Sequence, residues 1–152
     1  MDIGEYLKDH GVAFETHEHP PAYTAQEVAA EEHVSGNMLA KTVLVQADDG
    51  YALCVLPASF KLDMTKVAEA AGARSVRLAD EQELAKVFPD VEVGAEPPFG
   101  SLYNLPTFVD EHLASQQDMV FRAGTHHSAI RMKYADYASM VRPTVADLAV
   151  HL

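Results

Sequence analysis

Cysteine, basic residues and long apolar runs are all scarce in this chain, and each shortage excludes something. The lone cysteine, Cys54, cannot form an internal disulfide and leaves no thiol pair for zinc. Lys and Arg number 11 against 23 Asp and Glu, a formal charge of −12 with histidines neutral. Proteins that coat DNA or RNA need basic surface to displace counterions from phosphates, so a chain this acidic is a poor candidate for that class. A short nucleotide end in a local pocket stays open, because local field matters more than the sum. No apolar run reaches the roughly 18 residues of a membrane-spanning helix, so no membrane partner is expected. The start, MDIGEYLKDHG, lacks a basic stretch followed by an apolar one, so no secretory signal is read there. With one cysteine, the simplest expected location is a reducing cytoplasm. Internal repeats, linkers and low-complexity tracts are also missing.

What is present is ordinary globular composition, 48% hydrophobic and 22% charged over 152 residues. That length fits one domain, residues 1–152, able to bury roughly 70% of the unfolded chain's surface. Periodicity and capping signals divide it into short alternating elements. Ile3, Tyr6 and Leu7 share one face of a helix over 2–10 stopped by Gly11, and Val12–Thr16 reads as a strand. Thr24 with Glu27 forms a capping box for a helix running to about His33. Lys41–Ala47 and Tyr51–Leu56 are apolar on both faces, so they predict a central hairpin joined by the loop Asp48-Asp49-Gly50.

Asp63 and Gly72 bracket a helix, Arg74–Leu78 reads as a strand, and Asp80 with Glu83 opens a helix that Pro89 closes. Residues 93–106, VGAEPPFGSLYNLP, form a connecting loop or a rigid site loop. Thr107–Val109, Met119–Ala123 and Ala129–Met132 predict strands. Tyr134–Val141 and Val145–His151 predict closing helices, the last capped by Thr144. The fold class is α+β, a single domain on a largely antiparallel sheet.

Three features could carry chemistry. Lys41 stands where an apolar strand begins, either as a solvated residue at the strand mouth or as a fixed positive charge beside a pocket. Gly94-Ala95-Glu96-Pro97-Pro98-Phe99-Gly100 is either a plain turn or a loop whose exposed N–H groups line a ligand site. His17 and His19 share a strand face, which is metal-ligand spacing, and His126-His127 adds two more imidazoles. Surface histidines are common, and no third ligand stands at a diagnostic spacing. Ser59 and Ser101 carry no nucleophile-elbow signature. Cys54 inside an apolar strand reads as core.

Several segments fall in a familiar order: Thr24-x-x-Glu27-Val28-Ala29, Ala40-Lys41-Thr42-Val43, Leu56-Pro57-Ala58, Leu62-Asp63, Gly94-x-x-x-Pro98-Phe99-Gly100, Leu105-Pro106-Thr107-Phe108-Val109-Asp110 and Phe121-Arg122-Ala123-Gly124. On these the chain resembles, over roughly residues 10–142, the YbaK/aminoacyl-tRNA synthetase-associated domain family. That family includes free-standing relatives of the editing domain of bacterial prolyl-tRNA synthetase. The resemblance implies a mixed, mostly antiparallel sheet flanked by helices. It also implies a trans-editing deacylase that hydrolyses the ester of a mischarged tRNA, a small amino acid such as Cys or Ala on tRNA(Pro).

By the same resemblance Lys41 matches the family's functional lysine, and Gly94, Pro98, Phe99 and Gly100 form the substrate loop. Asp110 matches an aspartate near the pocket, and His126 a histidine of some branches. Thr42 stands where alanine-clearing members have Asn and resembles the cysteine-clearing branch, although that branch generally lacks the histidine. The implied partners are the acceptor end of the mischarged tRNA and an aminoacyl-tRNA synthetase, with no DNA. No cofactor and no metal are implied. The alternatives are a non-catalytic aminoacyl- or nucleotide-binding module that partners a synthetase or regulates, and a hydrolase of another small ester or amide.

Overall fold

Asp2 accepts the backbone N–H of Glu5 and opens helix α1 (Ile3–Asp9), and the chain turns at Gly11, where φ is +69°. The computed structural model describes residues 2–21, 25–32 and 34–152. Strand β1 (Phe14–Glu18) starts two residues later than the periodicity predicts and is followed by α2 (Ala25–Glu32). Thr24 of the expected capping box, and His33 at the expected helix end, lie outside the described residues.

Strands β2 (Ala40–Ala47) and β3 (Gly50–Pro57) form the predicted hairpin, antiparallel along their whole length. Its loop is one residue shorter than expected, because Gly50 pairs with Ala47. Asp48 takes a φ of +54°, and its carboxylate accepts the N–H groups of Arg74 and Ser75, which offsets the strain of that turn.

Strand β4 (Phe60–Leu62) precedes α3 (Met64–Ala71), which Asp63 caps and Gly72 ends at a φ of +64°. Strand β5 (Val76–Leu78) leads to α4 (Glu81–Val87), where Asp80 and Glu83 form the predicted capping box. After the Pro-rich loop and a single 3-10 turn (Gly100–Tyr103) come β6 (Thr107–Asp110), α5 (Glu111–Ala114), β7 (Asp118–Arg122), β8 (Ser128–Lys133) and α6 (Tyr134–Val141).

The chain does not close on a helix. Residues 145–151 instead supply parts of β9 (Thr144–Ala146) and β10 (Ala149–His151). β-branched Val145 and Val150 favour strands, and each strand has an edge to join. β9 pairs in parallel with β6, and β10 pairs antiparallel with β4. Leu148 between them is fully buried, and its N–H is taken by the Asp110 carboxylate at 2.8 Å.

The strands form a five-stranded mixed sheet in the order β5-β2-β3-β6-β9, a three-stranded antiparallel sheet β1-β8-β7, and the pair β10-β4. The hairpin is interior to the larger sheet, as its two apolar faces require. One face covers Phe99, Phe121, Tyr137, Val55 and Val109; the other packs Cys54, Val45 and Leu148 against Val67 of α3. The two larger sheets meet at Leu39, which bridges to Val120 of β7 just before β2 begins. Lys41 therefore emerges at the seam between them. No helix among the described residues is long and apolar enough to cross a membrane.

Candidate active site

Lys41 is the second residue of β2 and is half-buried. Burial draws its ammonium pKa below the ordinary lysine value. Among the described residues no carboxylate lies within ion-pair distance of it. It opens on a cleft of about 210 Å³ whose polar walls are Lys41, Thr42, Gly94, Glu96 and Arg122, with Leu39, Ala40 and Val43 completing the lining. This is the pocket-side cation that the sequence left as one of two readings, and it sits at the seam because β2 starts there.

The facing wall is the Pro-rich loop, held by hydrogen bonds to the turn between β7 and β8. Gly124 N–H donates to Ala95 O at 3.1 Å, Glu92 N–H donates to Gly124 O at 2.9 Å, and His126 N–H donates to Glu92 Oε1 at 2.7 Å. The Arg122 guanidinium donates to Gly94 O. Gly94 has a φ of +91°, and a Cβ there would come within 3.2 Å of the His126 ring. Its N–H is donated to Glu96 Oε1 at 2.9 Å, and Ala95 N–H goes to Glu92 O. Two prolines follow with no N–H to offer. The loop therefore spends its first N–H groups on itself, and positive charge at this wall comes from Arg122. Burial lowers the Arg122 pKa, opposed by the nearby carboxylates of Glu96 and Glu27.

The structure brings Lys41, Thr42 and Gly94 together in this cleft and puts His126 directly behind Gly94, its Nε2 2.8 Å from Val93 O. The other residues singled out in the loop face inward. Pro98 O accepts the Tyr137 hydroxyl at 2.6 Å, and Phe99 packs edge-on against Phe121 and Tyr137 in the core. At Gly100 a Cβ would meet Thr107 Oγ1 at 2.2 Å, so that glycine serves close packing. Asp110 is fully buried at the end of β6 and does not line the cleft. It accepts His112 N–H and Leu148 N–H and contacts His112 Nδ1 at 2.9 Å, tying α5 to the last two strands.

Glu96 and Arg122 are the cleft residues that motif reasoning did not assign. Their signals are the one charge inside the segment 93–100, and the charge that ends the apolar run Met119-Val120-Phe121.

The remaining candidates are placed elsewhere. Cys54 is fully buried, and its thiol is pushed up to about 12 by burial, which leaves it protonated and unreactive at neutral pH. Ser59 donates to Asn37 in a turn, and Ser101 is exposed in the 3-10 segment. His17 and His19 both face Glu32, at 2.7 and 3.8 Å. Among the described residues no three His, Cys, Asp or Glu side chains are gathered in a group able to hold a metal. His127 lines a larger, more open cleft of about 710 Å³ whose walls include Asp2, Glu5, Lys8 and Glu18.

The model of the aminoacyl-tRNA editing domain family matches residues 19–140. A proline–tRNA ligase from Bacillus pumilus (strain SAFR-032) is 32% identical over 91 residues, 60% of this chain, although this chain spans only 15% of the ligase. Two similar solved structures are hypothetical protein APE2540 and a candidate trans-editing enzyme for prolyl-tRNA synthetase. The first has a TM-score of 0.88 and 25% identity, covering 97% of this chain and 99% of that one. The second has a TM-score of 0.86 and 23% identity over 97% and 94%, a likeness of fold.

Proposed function

Because the chain belongs to the aminoacyl-tRNA editing domain family, we propose that it hydrolyses the ester joining a wrongly attached amino acid to the 3′ end of a tRNA, acting in trans. The observation that carries this reading is Lys41: a half-buried cation without a carboxylate partner among the described residues, in a small cleft walled by Gly94 and Arg122. An aminoacyl ester is already activated, so its hydrolysis needs positioning and charge stabilisation more than a strong nucleophile. Water attacks the carbonyl carbon and negative charge grows on the carbonyl oxygen. Lys41 and Arg122 supply the fixed positive field there, in a site where partial burial strengthens it. The tetrahedral intermediate collapses with loss of the ribose oxygen, which takes up the proton given up by the attacking water, giving free amino acid and tRNA.

The cleft of about 210 Å³ suits a small amino acid such as Cys or Ala, with Thr42 beside it. The partial match to a proline–tRNA ligase supports tRNA(Pro) as the carrier. A net charge of −12 confines the RNA contact to the acceptor end, or has the substrate delivered by a synthetase, in the cytoplasm. The test is a panel of mischarged tRNAs that includes alanyl- and cysteinyl-tRNA(Pro). We expect hydrolysis of one or two small species, lost in Lys41→Ala. Binding without hydrolysis across the panel would leave a recognition module; neither binding nor hydrolysis would leave only the fold.

A further inference from the structure

Glu96 is the part of the cleft that this hydrolysis leaves unused. Its side chain lines the cleft although the residue is only 5% exposed. Oε1 accepts Gly94 N–H at 2.9 Å; among the described residues Oε2 has no hydrogen bond and the carboxylate has no ion pair. Arg122 acts on Glu96 through space, but its guanidinium is turned to Gly94 O. A nearly buried carboxylate normally collects several donors or a counter-charge. Asp110, another buried acid, has three contacts of that kind. Glu96 opens on the cleft, so its second partner can arrive with the ligand.

The cleft is thus bipolar, with Lys41 and Arg122 suited to a group that is or becomes anionic and Glu96 suited to a cationic donor. An aminoacyl ester carries both, since its α-ammonium lies one carbon from the carbonyl that takes on charge. We propose that Glu96 binds this α-ammonium, so that the cleft accepts aminoacyl esters with a free amine and rejects N-acylated ones. This rests on the deacylase reading and names the substrate class within it. A general-base role for Glu96 predicts something different: removing the carboxylate would slow free and N-acylated esters alike.

The test pairs binding with turnover. The probes are 3′-alanylamino-3′-deoxyadenosine, whose amide resists hydrolysis, and its N-acetyl derivative, titrated into wild type and Glu96→Gln by calorimetry. Gln keeps an oxygen for Gly94 N–H, so the loop is held, and an unchanged melting temperature checks this. Wild type should bind the free-amine probe at least about tenfold more tightly, the scale of one charge-assisted hydrogen bond. The variant should bind both probes alike and weakly. Equal binding by wild type, no binding of either probe, or a preference that survives in Glu96→Gln would each overturn the assignment.

Deacylation of alanyl- and N-acetylalanyl-tRNA(Pro), run alongside, separates the two claims. Turnover without an amine preference would sink the role of Glu96 alone. Amine-selective binding without turnover of any aminoacyl-tRNA would remove the deacylase reading and leave Glu96 standing.

Discussion

At the scale of a single residue, the proposed role of Lys41 predicts opposite effects on activity and on stability. Its pKa is lowered by burial, so the folded protein holds that proton less tightly than the unfolded chain does. The charge therefore destabilises the fold below the folded-state pKa, and this penalty fades as pH rises from there toward the unfolded value, ordinarily about 10.4. Lys41→Met should accordingly melt at an equal or higher temperature than wild type while losing hydrolysis. A melting point several degrees lower would show the lysine to be structural. The same shift predicts an alkaline fall in the enzymatic rate, after subtraction of spontaneous ester hydrolysis, below the pH at which an ordinary lysine titrates. Lys41 was legible in the sequence only as a polar residue opening an apolar strand. The cleft it shares with Gly94 and Arg122 joins residues remote in the chain, and no local pattern shows them.

At the scale of the element, the Pro-rich loop divides into two parts with different duties. Gly94 and Glu96 face the cleft, whereas Pro98, Phe99 and Gly100 belong to the core. Gly100→Ala forces a methyl to within 2.2 Å of Thr107 Oγ1 and 2.7 Å of Leu105 O. Overpacking of that kind costs about 1–3 kcal/mol, and denaturant unfolding should show the loss. Asp110→Ala should likewise lose about 1–3 kcal/mol, because the buried Leu148 N–H is left without its acceptor. For both variants the folded fraction should deacylate at the wild-type rate per molecule. A rate defect larger than the loss of folded protein would return either residue to the site.

The capped helices α3 and α4 and the hairpin were readable because their signals are local: an aspartate cap, a terminal glycine, two apolar runs around a turn. The ending was misread because seven residues hold too little periodicity to separate helix from strand. The deciding partners, β6 and β4, are distant in sequence.

At the scale of the whole molecule, an excess of 12 negative charges surrounds a cleft with two cations. Such a field is unsuited to a long stretch of any nucleic acid. Binding should depend weakly on salt, with a log–log slope smaller in magnitude than about 2, as expected for contact with two or three phosphates of a single-stranded end. A slope several times steeper, measured by fluorescence anisotropy across a salt series, would require a basic surface that this sequence does not carry. Composition alone made that inference possible, since net charge needs no fold to be read. The identity of the amino acid that the proposed reaction would remove was not legible, because it depends on side chains that only the fold gathers around a small volume.

Single-turnover deacylation of mischarged tRNA(Pro) by wild type, Lys41→Ala and Lys41→Arg tests the central claim most directly. If Lys41 supplies the fixed charge at the ester, the alanine variant loses at least about a hundredfold in rate, in line with removing one oxyanion-stabilising group. The arginine variant recovers part of that loss, and all three share one melting temperature within a few degrees. A folded Lys41→Ala that turns over at the wild-type rate would contradict the account, because the cleft would then work without the cation that defines it.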